Sequence, residues 1–85
     1  MTTTPYRFVR EEAAFEVFVQ MPDVEAELAH SYFRWLAANP NSTGQGFHTD
    51  ATGRPNYASF CGPFLIVHWT DHAVREVRIV NIPHD

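Results

Sequence analysis

Val24-Glu-Ala-Glu-Leu-Ala-His-Ser-Tyr-Phe-Arg-Trp-Leu-Ala-Ala-Asn39-Pro40 is the segment on which the reading of the fold turns. Val24, Leu28, Tyr32, Trp35 and Leu36 follow an i, i+4, i+8, i+11 stripe with alanines between them, the signature of an amphipathic helix. Pro22 breaks the chain ahead of it, and Asp23 and Glu25 stand where the positive end of the helix dipole favours acids. The helix stops before Asn39-Pro40-Asn41, because a residue preceding proline is pushed out of the helical region.

Upstream, residues 11–20 fit two patterns. Ala14, Phe18 and Met21 have helical spacing, whereas Phe15, Val17 and Val19 alternate as in a strand. Glu11 and Glu12 suit a helix N-terminus and favour the helix. Pro22 leaves so short a connection that the two helices are expected to pack as an antiparallel hairpin. Before them, Tyr6-Arg-Phe-Val9 alternates after Pro5 and reads as a short first strand.

Downstream, residues 39–55 read as loop: Asn, Pro, Ser, Thr and three glycines, with Phe47 the only large apolar residue. Residues 57–60, 63–70 and 74–82 then read as strands. Gly62-Pro63 and Thr70-Asp71-His72-Ala73 supply the turns of an antiparallel meander. The expected fold is α+β, in the order β-α-α-β-β-β. An N-terminal strand and an antiparallel helical hairpin pack on one face of a small antiparallel sheet.

Composition narrows the function. Eighty-five residues allow one domain, spanning 1–85, and twelve aromatics can fill its core. All six basic residues are arginine, which removes lysine Schiff-base chemistry and any P-loop. Ten acids leave a net charge of −4, so the chain as a whole is not drawn to phosphate backbones and no direct DNA binding is expected. The excess is uneven: residues 1–42 hold three arginines and six acids, while the remainder is nearly balanced at −1. Cys61 stands alone and is expected to be a buried thiol rather than a disulfide or a nucleophile. The strongly apolar run 64–67 is far too short to span a membrane, and no signal pattern opens the chain. A cytoplasmic protein without a membrane partner is expected.

Several of these segments together resemble a family. Tyr-Phe-Arg-Trp-Leu-Ala-Ala-Asn-Pro at the end of residues 24–40 is similar to the second helix of RelE/ParE-type toxins, which closes on Leu-x-x-Asn-Pro before a glycine loop. Gly62-Pro63-Phe64-Leu65-Ile66-Val67 looks like the Pro-Tyr-Leu-Ile-Val-Tyr strand of ParE-like members, and Val77-Arg-Ile-Val-Asn-Ile-Pro-His84 resembles their last strand and His-containing tail. The resemblance runs in order along almost the whole chain. It implies a type II toxin, a plasmid-stabilisation type of protein, held inactive by a cognate antitoxin whose extended or helical segment wraps the sheet and helices. RelE-like members cleave mRNA on the ribosome, and ParE-like members poison DNA gyrase.

The departures favour the ParE-like side. RelE-like nucleases carry an arginine in the third strand, facing the phosphate that reacts, and the matching residue here is Leu65. No basic tail follows His84 and Asp85. Cations aimed at the phosphoryl oxygens commonly supply much of such catalysis, so a nucleolytic role loses its main support.

The remaining candidates are few. Arg54, Arg75, Arg78 and His84 can form an anion-handling cluster, with Arg54, Arg78 and His84 as the catalytic set if the protein is a ribonuclease. In a strand, however, Arg75 and Arg78 point to opposite faces, and both can simply pair with acids beside Glu76. His68 and His72 lack the partners of a tetrahedral metal set, so neither metal nor cofactor is expected. His48 and Asp50 could act as a base and its orienter, or only as loop polarity. In the strand 63–70, Phe64, Ile66 and His68 share one face, and Pro63, Leu65, Val67 and Trp69 the other. If the helices cover the first set, Leu65, Val67 and Trp69 form an apolar stripe suited to a partner, unless the loop 39–55 or the N-terminus folds over it. The function expected is a non-nucleolytic toxin-like protein, bound by an antitoxin through this face and directed, if active, at a protein such as gyrase rather than at an mRNA backbone, with gyrase or the ribosome as the candidate cellular partner. The alternatives are a degenerate ribosome-dependent ribonuclease and a binding module without toxicity.

Overall fold

The computed structural model describes residues 5–42, 44 and 46–83, with the side chains of Phe47 and His48 excepted. The chain runs β1 (Arg7–Arg10), α1 (Glu12–Phe18), α2 (Asp23–Ala38), β2 (Gly46–Thr49), β3 (Pro55–Cys61), β4 (Phe64–Asp71) and β5 (Glu76–Asn81). One sheet of five strands has the order β1-β5-β4-β3-β2. β2 to β5 form an antiparallel meander, and β1 lies parallel to β5 at the far edge, which makes the sheet mixed rather than wholly antiparallel.

Within residues 11–20 the segment Glu12–Phe18 resolves as helix, and a strand follows from part of the segment read as loop: Gly46–Thr49 pairs with β3. β2 is only four residues long, with Phe47 and Thr49 too few to show an alternation in sequence, and its pairing comes from the β3 edge it meets. The β4–β5 turn takes in Arg75, which has a left-handed φ of 56°, so Arg75 is a turn residue and not the strand residue its neighbourhood suggested.

Neither helix has a side-chain N-cap; Asp23 and Glu25 in the first turn of α2 supply the compensating charge. At its other end the Asn39 side chain donates to the Trp35 carbonyl at 2.8 Å, and Pro40 forbids another turn. The helices meet through Phe18 and Phe33, whose ring centroids lie 5.9 Å apart, and otherwise pack on the sheet.

The buried side of α2 is Ala29, Phe33 and Leu36, so that of the stripe the sequence favoured Leu36 alone is fully buried, with Tyr32 packed partly against the core. Val24, Leu28 and Trp35 are exposed, at 79%, 44% and 48%. The alanine side lets the helix approach the strands closely, so Phe33 inserts between Phe8 of β1 and Phe18 of α1. Phe64, Ile66, Val77, Ile79 and Ile82 complete the core from the sheet. Ile79 and Ile82 are three residues apart, which strict alternation forbids; the pairing shift between Val67 and His68 of β4 inserts one extra residue in β5 and corrects the phase.

The thiol of Cys61 is buried, donates to the Leu28 carbonyl at 3.7 Å, and is pushed above its ordinary pKa by burial, in keeping with an inert role. Among the described residues no helix is long and apolar enough to cross a membrane.

Candidate functional site

β4 lies between β5 and β3, so alternation along it decides what each face of the sheet presents. Phe64, Ile66 and His68 are buried beneath the helices, and Leu65, Val67 and Trp69 are half-buried on the opposite face. Cross-strand register adds neighbours that the sequence did not single out: Phe60 stands opposite Leu65 and is 65% exposed, and Ala58 stands opposite Val67. Phe60 was missed because residues 57–60 show no clear alternation; its exposure follows from which face β4 turns to the helices.

The stripe is not bare at its Trp69 end. The guanidinium of Arg54 lies 4.1 Å from the centre of the Trp69 ring, so the segment read as loop does fold over part of the stripe. The indole Nε1 is buried without a hydrogen-bond partner, as is Oδ1 of Asn56.

Arg78 is the register partner of Trp69, so Arg54 and Arg78 both border that ring. Their situations differ. Arg78 donates through Nε to Glu11 and through Nη1 to Glu76, each at 2.9 Å. These bonds, chiefly the one to Glu11, raise its pKa still further. Glu76 is also held by Arg7, whose Nε and Nη2 reach it at 3.1 and 2.6 Å. The result is a charge-balanced chain, Arg7–Glu76–Arg78–Glu11, that ties β1, β5 and the start of α1 together on the open face. Arg78 is thereby committed to carboxylates rather than offered to a phosphate.

The other candidates separate from this face. Arg75 lies at the β4–β5 turn with its guanidinium 5.6 Å from the Tyr6 ring centre. His84 lies outside the described residues. Among the described residues Asp50 serves backbone and hydroxyl donors: Oδ1 accepts from the Thr52 and Arg54 backbone N–H groups and from the Thr52 hydroxyl, and Oδ2 accepts from Asn56. These bonds, the Thr52 hydroxyl first, lower its pKa to about 2. It builds a turn. The His48 side chain lies outside the described residues.

His68 and His72 are far apart in environment. His72 Nδ1 lies 2.6 Å from the Tyr6 hydroxyl at the surface. His68 is 1% exposed; its Nε2 lies 3.4 Å from the Ser42 carbonyl, Nδ1 has no partner, and burial lowers its pKa. A carbonyl only accepts, so Nε2 carries the hydrogen. With Thr70, whose hydroxyl donates to the Pro40 carbonyl at 2.9 Å, it pins the chain leaving α2 to the buried face of β4.

No family model matches this sequence, and no curated protein matches it. Its fold does match solved structures. A chain of the toxin–antitoxin complex RelBE2 from Mycobacterium tuberculosis aligns with a TM-score of 0.77 and 14% identity, covering 96% of this chain and 100% of that one. A chain of the archaeal RelE–RelB complex from Pyrococcus horikoshii aligns with a TM-score of 0.75 and 10% identity, covering 95% and 96%. At these identities the likeness establishes a common fold.

Proposed function

We propose that this chain is a toxin-like protein of the RelE/ParE type, neutralised by a cognate antitoxin that docks on the open face of the sheet with Leu65, Val67 and Trp69 as anchors. One observation carries the reading: the helices cover one face of the sheet, and the other presents an apolar stripe, in a fold shared with chains of toxin–antitoxin complexes. Phe60 extends the stripe across β3.

The action of the free protein is read as non-nucleolytic, on a protein target such as gyrase. Leu65 occupies the strand position where a RelE-type nuclease needs an arginine, and Arg78 is already bonded to Glu11 and Glu76. The second reading, a degenerate ribosome-dependent ribonuclease, draws on Arg54 and Arg78 flanking Trp69.

Induction in a bacterial host, with and without the adjoining reading frame, tests both. Growth arrest relieved by the neighbour, with intact transcripts and accumulating DNA breaks, supports the first reading. Cleaved transcripts support the second, and no arrest leaves a binding module without toxicity. Trp69→Ala is expected to weaken binding of the neighbour's product by about 2 kcal/mol, roughly 30-fold, as an interface anchor should. Unchanged affinity would remove Trp69 from the interface.

A further inference from the structure

The apolar stripe leaves Arg54 unexplained. Its backbone is fixed on both sides: its N–H donates to Asp50 Oδ1 at 3.0 Å and its carbonyl accepts from the Asp50 N–H at 2.9 Å. The Asp50 carboxylate is itself saturated by Thr52 and Asn56, so the turn is rigid by construction. The turn presents an exposed guanidinium stacked on Trp69, and among the described residues no carboxylate pairs with it. Arg7 and Arg78, the other two arginines of this face, are both bonded to Glu76. A stacked guanidinium keeps its N–H edge free for an in-plane, two-pronged acceptor.

We propose that Arg54 sets the specificity of the open face by receiving a carboxylate from the partner's otherwise apolar segment, which lies along Phe60, Leu65 and Val67 and places an Asp or Glu beside Trp69. The proposal rests on the reading of this face as the partner site and adds the chemistry that the partner must carry. The occupant is a protein segment rather than a nucleic acid. Glu11 and Glu76 border the same face and pair with its other two arginines, so among the described residues Arg54 offers a single guanidinium not bonded to a carboxylate, whereas a phosphate chain needs several cations in a row.

A displayed library of random peptides about a dozen residues long, selected separately on the wild-type chain, Arg54→Gln and Trp69→Ala, tests this directly. Arg54→Gln keeps the backbone bonds to Asp50, and unchanged circular dichroism confirms that the fold is kept. The wild-type chain should enrich apolar peptides with an acid at a constant offset. Converting that acid to its amide should cost tenfold or more in affinity on the wild type and little on Arg54→Gln, while Trp69→Ala should weaken both peptides. Wild-type peptides without an acidic position, or equal affinity for acid and amide, would overturn the role of Arg54 and leave the partner face standing. Peptides indifferent to Trp69→Ala, or no enrichment at all, would count against the face itself. Arg54-dependent binding of oligouridylate, tighter than of any peptide, would overturn the choice of a protein partner.

Discussion

Leu28 and Leu36 are the same residue type, on one helix, on one apolar stripe by spacing, yet the fold treats them oppositely: Leu36 is 1% exposed and Leu28 is 44% exposed. Truncating each to alanine therefore isolates burial from chemistry. Leu36→Ala removes side-chain carbons from the core formed with Phe33, Ile66 and Ile79. Transfer and cavity costs together should come to about 3 kcal/mol, within the range of about 2–5 for buried leucines. Leu28→Ala loses about half of a leucine's burial energy and leaves no enclosed void, so about 1 kcal/mol is expected. A domain of this length is stable by roughly 4–13 kcal/mol in all, so the first change is a large fraction of the total and the second is not. Urea unfolding followed by circular dichroism measures both. With the slope unchanged, the midpoint of Leu36→Ala should fall by about 1 M or more further than that of Leu28→Ala. Equal losses, or a larger one for Leu28→Ala, would mean that α2 lies on the sheet by its other stripe, and the assignment of both faces of the sheet would fall with it.

Three further outcomes follow from the polar contacts. Glu76→Gln breaks the centre of the Arg7–Glu76–Arg78–Glu11 chain while keeping its shape; with Arg7 largely exposed and discounted for solvent screening, about 1–2 kcal/mol of stability should be lost, and an unchanged urea midpoint would show that the chain contributes nothing. His68 holds a pKa below its ordinary 6.5 in the fold, so the unfolded chain takes up the proton first. Its contribution is complete above that pH and declines as pH falls below it, and His68→Gln should flatten this slope in thermal melts between neutral and mildly acid buffers. The Asp50 carboxyl stays ionised down to about pH 2 against 3.8 ordinarily, so the turn carrying Arg54 should be intact above pH 4 and open as pH falls through 2. Acid titration of Trp69 fluorescence should report the opening, and Asp50→Asn should abolish that transition.

How these features relate to the sequence depends on the range of the interaction behind each. Pro22, Asp23, Glu25 and the Asn39-Pro40 pair act within a turn of the chain, and they delimited α2 at Asp23–Ala38. Gly62-Pro63 and the 70–73 region marked the turns of the meander by the same local chemistry. Alternation in β4 divided Phe64, Ile66 and His68 from Leu65, Val67 and Trp69 without reference to anything distant.

The choice between two adjacent stripes on α2 was different in kind. Both are apolar, and only the surface offered by β1 and β5, assembled from opposite ends of the chain, selects the one containing Phe33. The pairing of β2, the commitment of Arg78 to Glu11 and the seat of Arg54 on Trp69 likewise join residues that are neighbours only once the sheet is closed. The sequence by itself determined the bounds of α2, the order of β3, β4 and β5 in the meander and the apolar stripe of β4, because period and turn chemistry are local. Tertiary structure alone decided which helix face is buried, which arginine is consumed and which stays exposed, because those outcomes depend on partners that sequence distance hides.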